Sequence, residues 1–138
     1  MRALPGCYAA RPAFLHARLC QMHDKPGIRM MVAEDEALSR VCAAGTVVVE
    51  PKFIHEAGCA GHLEDLIVDR SLRGKGVGRA IVGHLLAFAR QRGCYKVIVD
   101  CAEDNVGAWC AVCGGRWGRV EVGGDQVQSV RTREVECR

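Results

Sequence analysis

No apolar run in this 138-residue chain approaches a membrane span. The longest, such as Thr46-Val47-Val48-Val49 and Ala80-Ile81-Val82, stop far short of the roughly 18–20 residues that crossing a bilayer requires. A soluble protein with no membrane partner is expected. Charge of one sign is equally scarce. With 19 Lys and Arg against 16 Asp and Glu the net charge is only +3, and the cations are scattered instead of forming the basic stripe that phosphate-backbone binding leaves. Nucleic acid is therefore not an expected partner, whereas small acidic molecules are compatible. Internal repeats and low-complexity stretches are missing, and no secretory leader is expected. The nine cysteines, Cys7, Cys20, Cys42, Cys59, Cys94, Cys101, Cys110, Cys113 and Cys137, thus read as reduced thiols. Arg2, Arg11 and Arg18 precede the first acid, Asp24, but Pro5, Gly6 and Pro12 interrupt any long amphipathic helix. The expected compartment is the cytoplasm, with organelle targeting left open.

Leu, Ile, Met and Phe also vanish after Ile98, while both Trp and six of the 16 Gly fall at or after Gly107. The length still fits one domain, 1–138, large enough to bury a core without metals or cross-links.

Apolar periodicity predicts strands over Ile28–Ala33, Val41–Glu50 and His62–Val68, with a turn at Glu34-Asp35-Glu36 and a loop from Pro51 to Gly61. The first two strands are close neighbours and are expected to pair antiparallel. A glycine cluster, Arg73 to Arg79, precedes a helix over Ala80–Arg92, whose stripe is Ile81, Leu85 and Phe88. Gly93 suits its left-handed closure, and Tyr95–Cys101 is a further strand. Strand, glycine loop, helix, strand is a right-handed crossover that makes the strands at 62–68 and 95–101 parallel. The fold class is α/β in the α+β sense: a mixed central sheet with antiparallel N-terminal strands, a parallel β-α-β crossover at 62–101 and flanking helices. Beyond it, a short helix from Asn105 to Val112 and a hairpin of Arg119–Val122 with Val127–Val135 are expected.

A glycine-rich turn between strand and helix lets backbone approach a phosphate and aims free N–H groups at it. A nucleotide P-loop is excluded because no Gly, four residues, then Gly-Lys-Ser/Thr occurs. A dinucleotide fingerprint is disfavoured because the sixth position counted from Gly74 is Arg79. The remaining pattern, Arg-x-x-Gly-x-Gly at Arg73, Gly76 and Gly78, resembles the pyrophosphate loop of the GCN5-related N-acetyltransferases (GNAT). The runs Glu50-Pro51-Lys52-Phe53-Ile54-His55, Gly61-His62-Leu63-Glu64-Asp65-Leu66-Ile67-Val68 and Gly93-Cys94-Tyr95-Lys96-Val97-Ile98-Val99-Asp100-Cys101, with Asn105-Val106, narrow this likeness. They resemble the glucosamine 6-phosphate N-acetyltransferases over roughly Ile28 to Val106. Residues 1–27 match poorly, and 107–138 diverge.

The resemblance implies a GNAT fold and acetyl transfer from acetyl-CoA to the amine of glucosamine 6-phosphate, on the route to UDP-N-acetylglucosamine. It implies direct transfer in a ternary complex, no metal, and a homodimer whose subunits share the active sites. By the same resemblance, Leu66, Ile67 and Val68 offer main-chain groups to the pantetheine arm, their side chains being core. Arg73, Gly74, Lys75, Gly76, Val77, Gly78 and Arg79 hold the pyrophosphate, and Asn105 lies near the acetyl-CoA site. Lys52, Phe53, Ile54, His55, Tyr95 and Lys96 form the sugar-phosphate wall. Glu64, Asp65 and Asp100 meet the sugar hydroxyls and amine, with Glu64 and Asp65 the catalytic carboxylates. The amine must be neutral to attack, and Glu64 is placed to accept its proton; an N–H near Ile67 or Val68 is the oxyanion donor.

The family's Phe-Tyr after the Asn has no counterpart here. It falls on Ala108-Trp109 or, with one insertion, on Trp109-Cys110, and an indole cannot act as a proton donor at neutral pH. Cys110 and Cys113 have metal-ligand spacing, but no second pair follows. Two alternatives stay open: a divergent CoA-binding relative with weak or no activity, and acetylation of a protein or peptide amine.

Overall fold

In the computed structural model, residues 12–99 and 130–134 are described. The elements run α1 (Pro12–His23), β1 (Ile28–Asp35), β2 (Arg40–Pro51), α2 (Ile54–Ala57), β3 (Cys59–Val68), α3 (Val77–Gln91), β4 (Cys94–Val99) and β5 (Val130–Glu134), with a short 3-10 turn at Arg70–Leu72 before α3. The strands form one five-stranded sheet in the order β4-β3-β2-β1-β5. β1 pairs antiparallel with β2, β2 with β3, and β1 with β5, while β3 and β4 are parallel. The mixed sheet and the crossover are those the sequence predicts.

α3 closes the core. Val77, Ile81, Val82, Leu85, Phe88 and Ala89 recur at helical spacing and are all buried, facing Met31, Ala33, Val47 and Leu63 of the sheet. Truncating such a side chain, as in Leu85→Ala, costs about 2–5 kcal/mol. Contact is closest at Gly45 of β2, where a Cβ would stand 2.9 Å from Ile81 Cγ2. The helix ends with Arg92 N–H donating to Phe88 and Ala89 carbonyls, and Gly93 takes φ 73°, the left-handed closure expected of it.

Several boundaries differ from expectation. The helix begins at Val77, three residues early, because the glycine cluster ends in its first turn. β1 continues through Glu34 and Asp35, which pair with Val41 and Arg40. The turn follows at 36–39, where Asp35 Oδ1 accepts the Ala37 and Leu38 N–H groups at 3.1 and 3.3 Å. The segment 51–61 is only partly loop, since Cys59 and Ala60 already pair with both β2 and β4. Pro12, read as a breaker, sits at the start of α1, where its missing N–H costs nothing. Residues 130–134 do form a strand, and it pairs with β1. The rest of the expected hairpin and the expected helix at 105–112 lie outside the described residues.

Among the described cysteines, Cys42, Cys59 and Cys94 are free, whereas Cys20 is disulfide-bonded. That corrects the reading of all nine as reduced. Cys20 lies half-buried on α1, while Cys42 is enclosed between sheet and helix and donates its thiol to the Ala33 carbonyl at 3.3 Å. Burial, then the Asp35 charge, push the Cys42 thiol up, and burial does the same to Cys94. A buried thiol such as Cys42 is inert.

Candidate active site

The site grows from an irregularity in β3. Glu64 pairs with Thr46, but the next pair is Ile67 with Ala44, so Asp65 and Leu66 together oppose the single residue Gly45. Asp65 takes φ 54° to make this bulge. In an unbroken strand Glu64 and Asp65 would point to opposite faces. The bulge leaves both exposed and returns Leu66 to the helix side, 3.3 Å from the Gly45 Cβ position beside Ile81 and Leu85. Leu66, Ile67 and Val68 are half-buried; Leu66 and Val68 pack on the core as expected, and Ile67 is not part of that packing.

Past β3, Asp69 shapes the entry to the glycine loop. Its Oδ1 accepts the Ser71 N–H at 2.9 Å and the Ser71 hydroxyl at 2.6 Å, and its Oδ2 accepts from Arg40 at 3.2 Å. The Ser71 hydroxyl first, then the Ser71 N–H and Arg40, hold the carboxyl below its usual range. Arg73 Nε donates back to the Val68 carbonyl at 3.2 Å, tying loop to strand. Gly74 and Gly76 have φ 74° and 84°, and a Cβ at either would meet nothing within 4 Å. Glycine is required there by the backbone conformation, with open space in front of it. Val77, Gly78 and Arg79 follow as the first turn of α3, whose N–H groups lack intrahelical acceptors. Arg73, Lys75 and Arg79 are exposed around this cradle.

A second cluster gathers at the opposite end of β3. The Lys52 N–H donates to the Gly58 carbonyl at 2.8 Å. The His55 ring packs against Tyr95 with centroids 4.1 Å apart and planes tilted by 40°, and Lys96 Nζ lies 5.6 Å from the Tyr95 ring centre. His55, Glu56 and Ala57 all have positive φ, 51°, 59° and 57°, so α2 is a left-handed turn that costs about 1–2 kcal/mol per residue. The Tyr95 hydroxyl is buried and makes no hydrogen bond to a described residue. His55, Tyr95 and Lys96 are thus brought together at the end of the sheet where the Lys52 backbone is tied to Gly58, while the Lys52 ammonium turns to Glu50. Phe53 and Ile54 instead project into solvent. Asp100 and Asn105 lie outside the described residues.

Two residues that sequence reasoning left without a role join this cluster. Glu50 Oε2 contacts both Lys52 Nζ and His62 Nε2, the latter at 2.9 Å. Lys52 first, then His62, hold the Glu50 carboxyl low. The signal was the period of two: Glu50 and Lys52 share one side of the chain, as do His62 and Glu64. A row of Lys52, Glu50, His62 and Glu64 therefore runs from the cation cluster to the bulge on the face opposite buried Leu63. Among the described residues, no group of three or more His, Cys, Asp or Glu is arranged to hold a metal, and no helix is long and apolar enough to cross a membrane.

A bulged strand, a glycine loop opening a helix, and a parallel crossover define an acetyltransferase fold. The sequence pattern of the acetyltransferase (GNAT) family matches residues 2–110, and the chain belongs to that family. Among its relatives, glucosamine 6-phosphate N-acetyltransferase 1 of Oryza sativa subsp. japonica is 49% identical over 85 residues, 62% of this chain and 51% of that protein. A probable glucosamine 6-phosphate N-acetyltransferase 2 of the same plant is 40% identical over 116 residues, 83% of this chain and 68% of that protein. The crystal structure of glucosamine-6-phosphate N-acetyltransferase from Arabidopsis thaliana superposes with a TM-score of 0.72 at 29% identity, covering 86% of this chain and 82% of that one. In sequence, the chain spans about half the length of several curated relatives it matches, 51%, 49% and 50% of the first rice, the Dictyostelium discoideum and the Arabidopsis thaliana proteins.

Proposed function

We propose that this chain transfers an acetyl group from acetyl-CoA to the amine of D-glucosamine 6-phosphate, giving N-acetylglucosamine 6-phosphate directly in a ternary complex. The observation that carries this reading is the bulge at Asp65. It turns two consecutive carboxylates to solvent midway between an anion cradle and a cation cluster. The cradle fits a pyrophosphate, because Gly74 and Gly76 leave space where any side chain would intrude and the first turn of α3 supplies N–H groups and a favourable dipole. Acetyl-CoA, when bound there, supplies the activated acetyl group.

The chain's own residues do the rest. Gly74 to Arg79 hold the pyrophosphate, with Arg73 and Lys75 beside it, and main-chain groups of Leu66, Ile67 and Val68 receive the pantetheine arm by strand addition. Lys52, Tyr95 and Lys96 bind the sugar phosphate, with Phe53, Ile54 and His55 completing the wall and Asp65 holding sugar hydroxyls. Glu64 accepts the amine proton, directly or through a water. Asp100 and Asn105 keep the roles that the family resemblance implies. Exposed Phe53 and Ile54 support a second copy of the chain completing this wall, and sedimentation as a monomer at micromolar concentration would remove that part of the reading. A cytoplasmic setting is supported by the free thiols of Cys42, Cys59 and Cys94 and opposed by the disulfide at Cys20.

The test is thiol release from acetyl-CoA with glucosamine 6-phosphate as acceptor. Glu64→Gln should lower turnover about 10²–10⁴-fold while leaving CoA binding unchanged. Weakened CoA binding with normal turnover would remove Glu64 from the chemistry. CoA binding by the unaltered chain without turnover would favour a CoA-binding relative without activity, a reading supported by the missing Tyr after Asn105.

A further inference from the structure

Glu50 is the hub of a contact to which the proposed chemistry gives no task. One oxygen, Oε2, serves both the Lys52 ammonium and the His62 imidazole. The strands fix this arrangement: Glu50 is the penultimate residue of β2, two before Lys52, and His62 of β3 pairs with Val48 of β2. The side chains of His62 and Lys52 are only 28% and 29% exposed, so neither swings freely. A carboxylate bound to an ammonium alone neutralises it and competes with an incoming phosphate. A carboxylate whose same oxygen also accepts from an imidazole is held in place and gives each donor only part of its charge.

We infer that His62, acting through Glu50, is the positioning residue for Lys52 and sets the preference for a phosphorylated over an unphosphorylated amino sugar. The inference rests on the reading of Lys52 as a phosphate ligand. His62 itself touches no substrate. It holds the carboxylate that holds the ammonium.

The experiment compares KM and kcat for glucosamine 6-phosphate and glucosamine in the full chain and in His62→Ala, His62→Gln, Glu50→Ala and the double variant His62→Ala with Glu50→Ala. His62→Ala should raise KM for the phosphorylated acceptor about tenfold, the scale of one hydrogen bond to a charged group. Its kcat, and both constants for glucosamine, should stay within about twofold of the unaltered chain. His62→Gln should recover most of the loss, because the glutamine amide nitrogen occupies the place of Nε2. In the Glu50→Ala background, His62→Ala should add nothing. An unchanged KM in His62→Ala, an equal loss for both acceptors, or the same factor without Glu50 would each overturn the inference. Should His62→Ala fail to fold, His62→Asn, too short to reach Glu50, carries the same test. A failure of the functional reading looks different: the unaltered chain would itself show no preference for the phosphorylated acceptor.

Discussion

The Tyr95 hydroxyl is the single polar atom whose situation says most about this site. It is buried yet makes no hydrogen bond to a described residue, and a buried hydroxyl left so costs about 1–3 kcal/mol. A ligand oxygen arriving there, as the proposed sugar-phosphate role of Tyr95 requires, would recover that cost. Tyr95→Phe should therefore leave the melting temperature of the free protein unchanged or raised, while raising KM for glucosamine 6-phosphate about tenfold. Thermal unfolding and steady-state kinetics on one preparation check both halves, and a lowered melting temperature with unchanged KM would make Tyr95 a purely structural residue. Glu64 and Asp65 teach a related lesson. The family resemblance, not the residue types alone, pointed to acid and base chemistry at these two positions. Strand alternation argued that one of them faces away, and only the backbone at Asp65 resolves this.

At the scale of elements, what was legible is what repeats. β1, β2 and the stripe of α3 follow from periods of two and 3.6 residues, and Gly93 marked the helix end through its conformational freedom. The bulge left no such mark, since a left-handed Asp differs from any other Asp only in its dihedrals. The left-handed turn at His55–Ala57 was hidden for the same reason. α1 escaped because its apolar face is poorly marked, with Phe14 and Leu15 exposed and Leu19 and Met22 only half-buried. The glycine loop joins the two kinds of information, its sequence pattern giving the chemistry and its dihedrals the reason. At Gly76, φ 84° and the absence of any atom within 4 Å of a Cβ mean that Gly76→Ala strains the backbone without a clash. That substitution should cost about 1–2 kcal/mol of stability and weaken CoA binding, read by urea unfolding and calorimetric titration. Unchanged CoA affinity would exclude the loop as the pyrophosphate cradle.

For the molecule as a whole, a net charge of +3 turns out to be less informative than where the charges stand. Arg73, Lys75 and Arg79 surround the loop before α3, and Lys52 and Lys96 gather at the other end of β3. Two positive regions flank one strand that carries two exposed carboxylates between them. The shift in composition after Ile98 falls almost wholly outside the described residues; within them, α3 packs on β1, β2 and β3 through buried residues before position 98. The proposed chemistry has these two regions serve two phosphorylated ligands whose reacting ends meet near Glu64. The ratio of kcat/KM for glucosamine 6-phosphate to that for glucosamine, measured by thiol release at fixed acetyl-CoA, tests it most directly. A ratio well above about 10² is predicted, toward the roughly 10⁴–10⁵ that a site built to hydrogen-bond a substrate group gives; equal values for the two amines would overturn this reading.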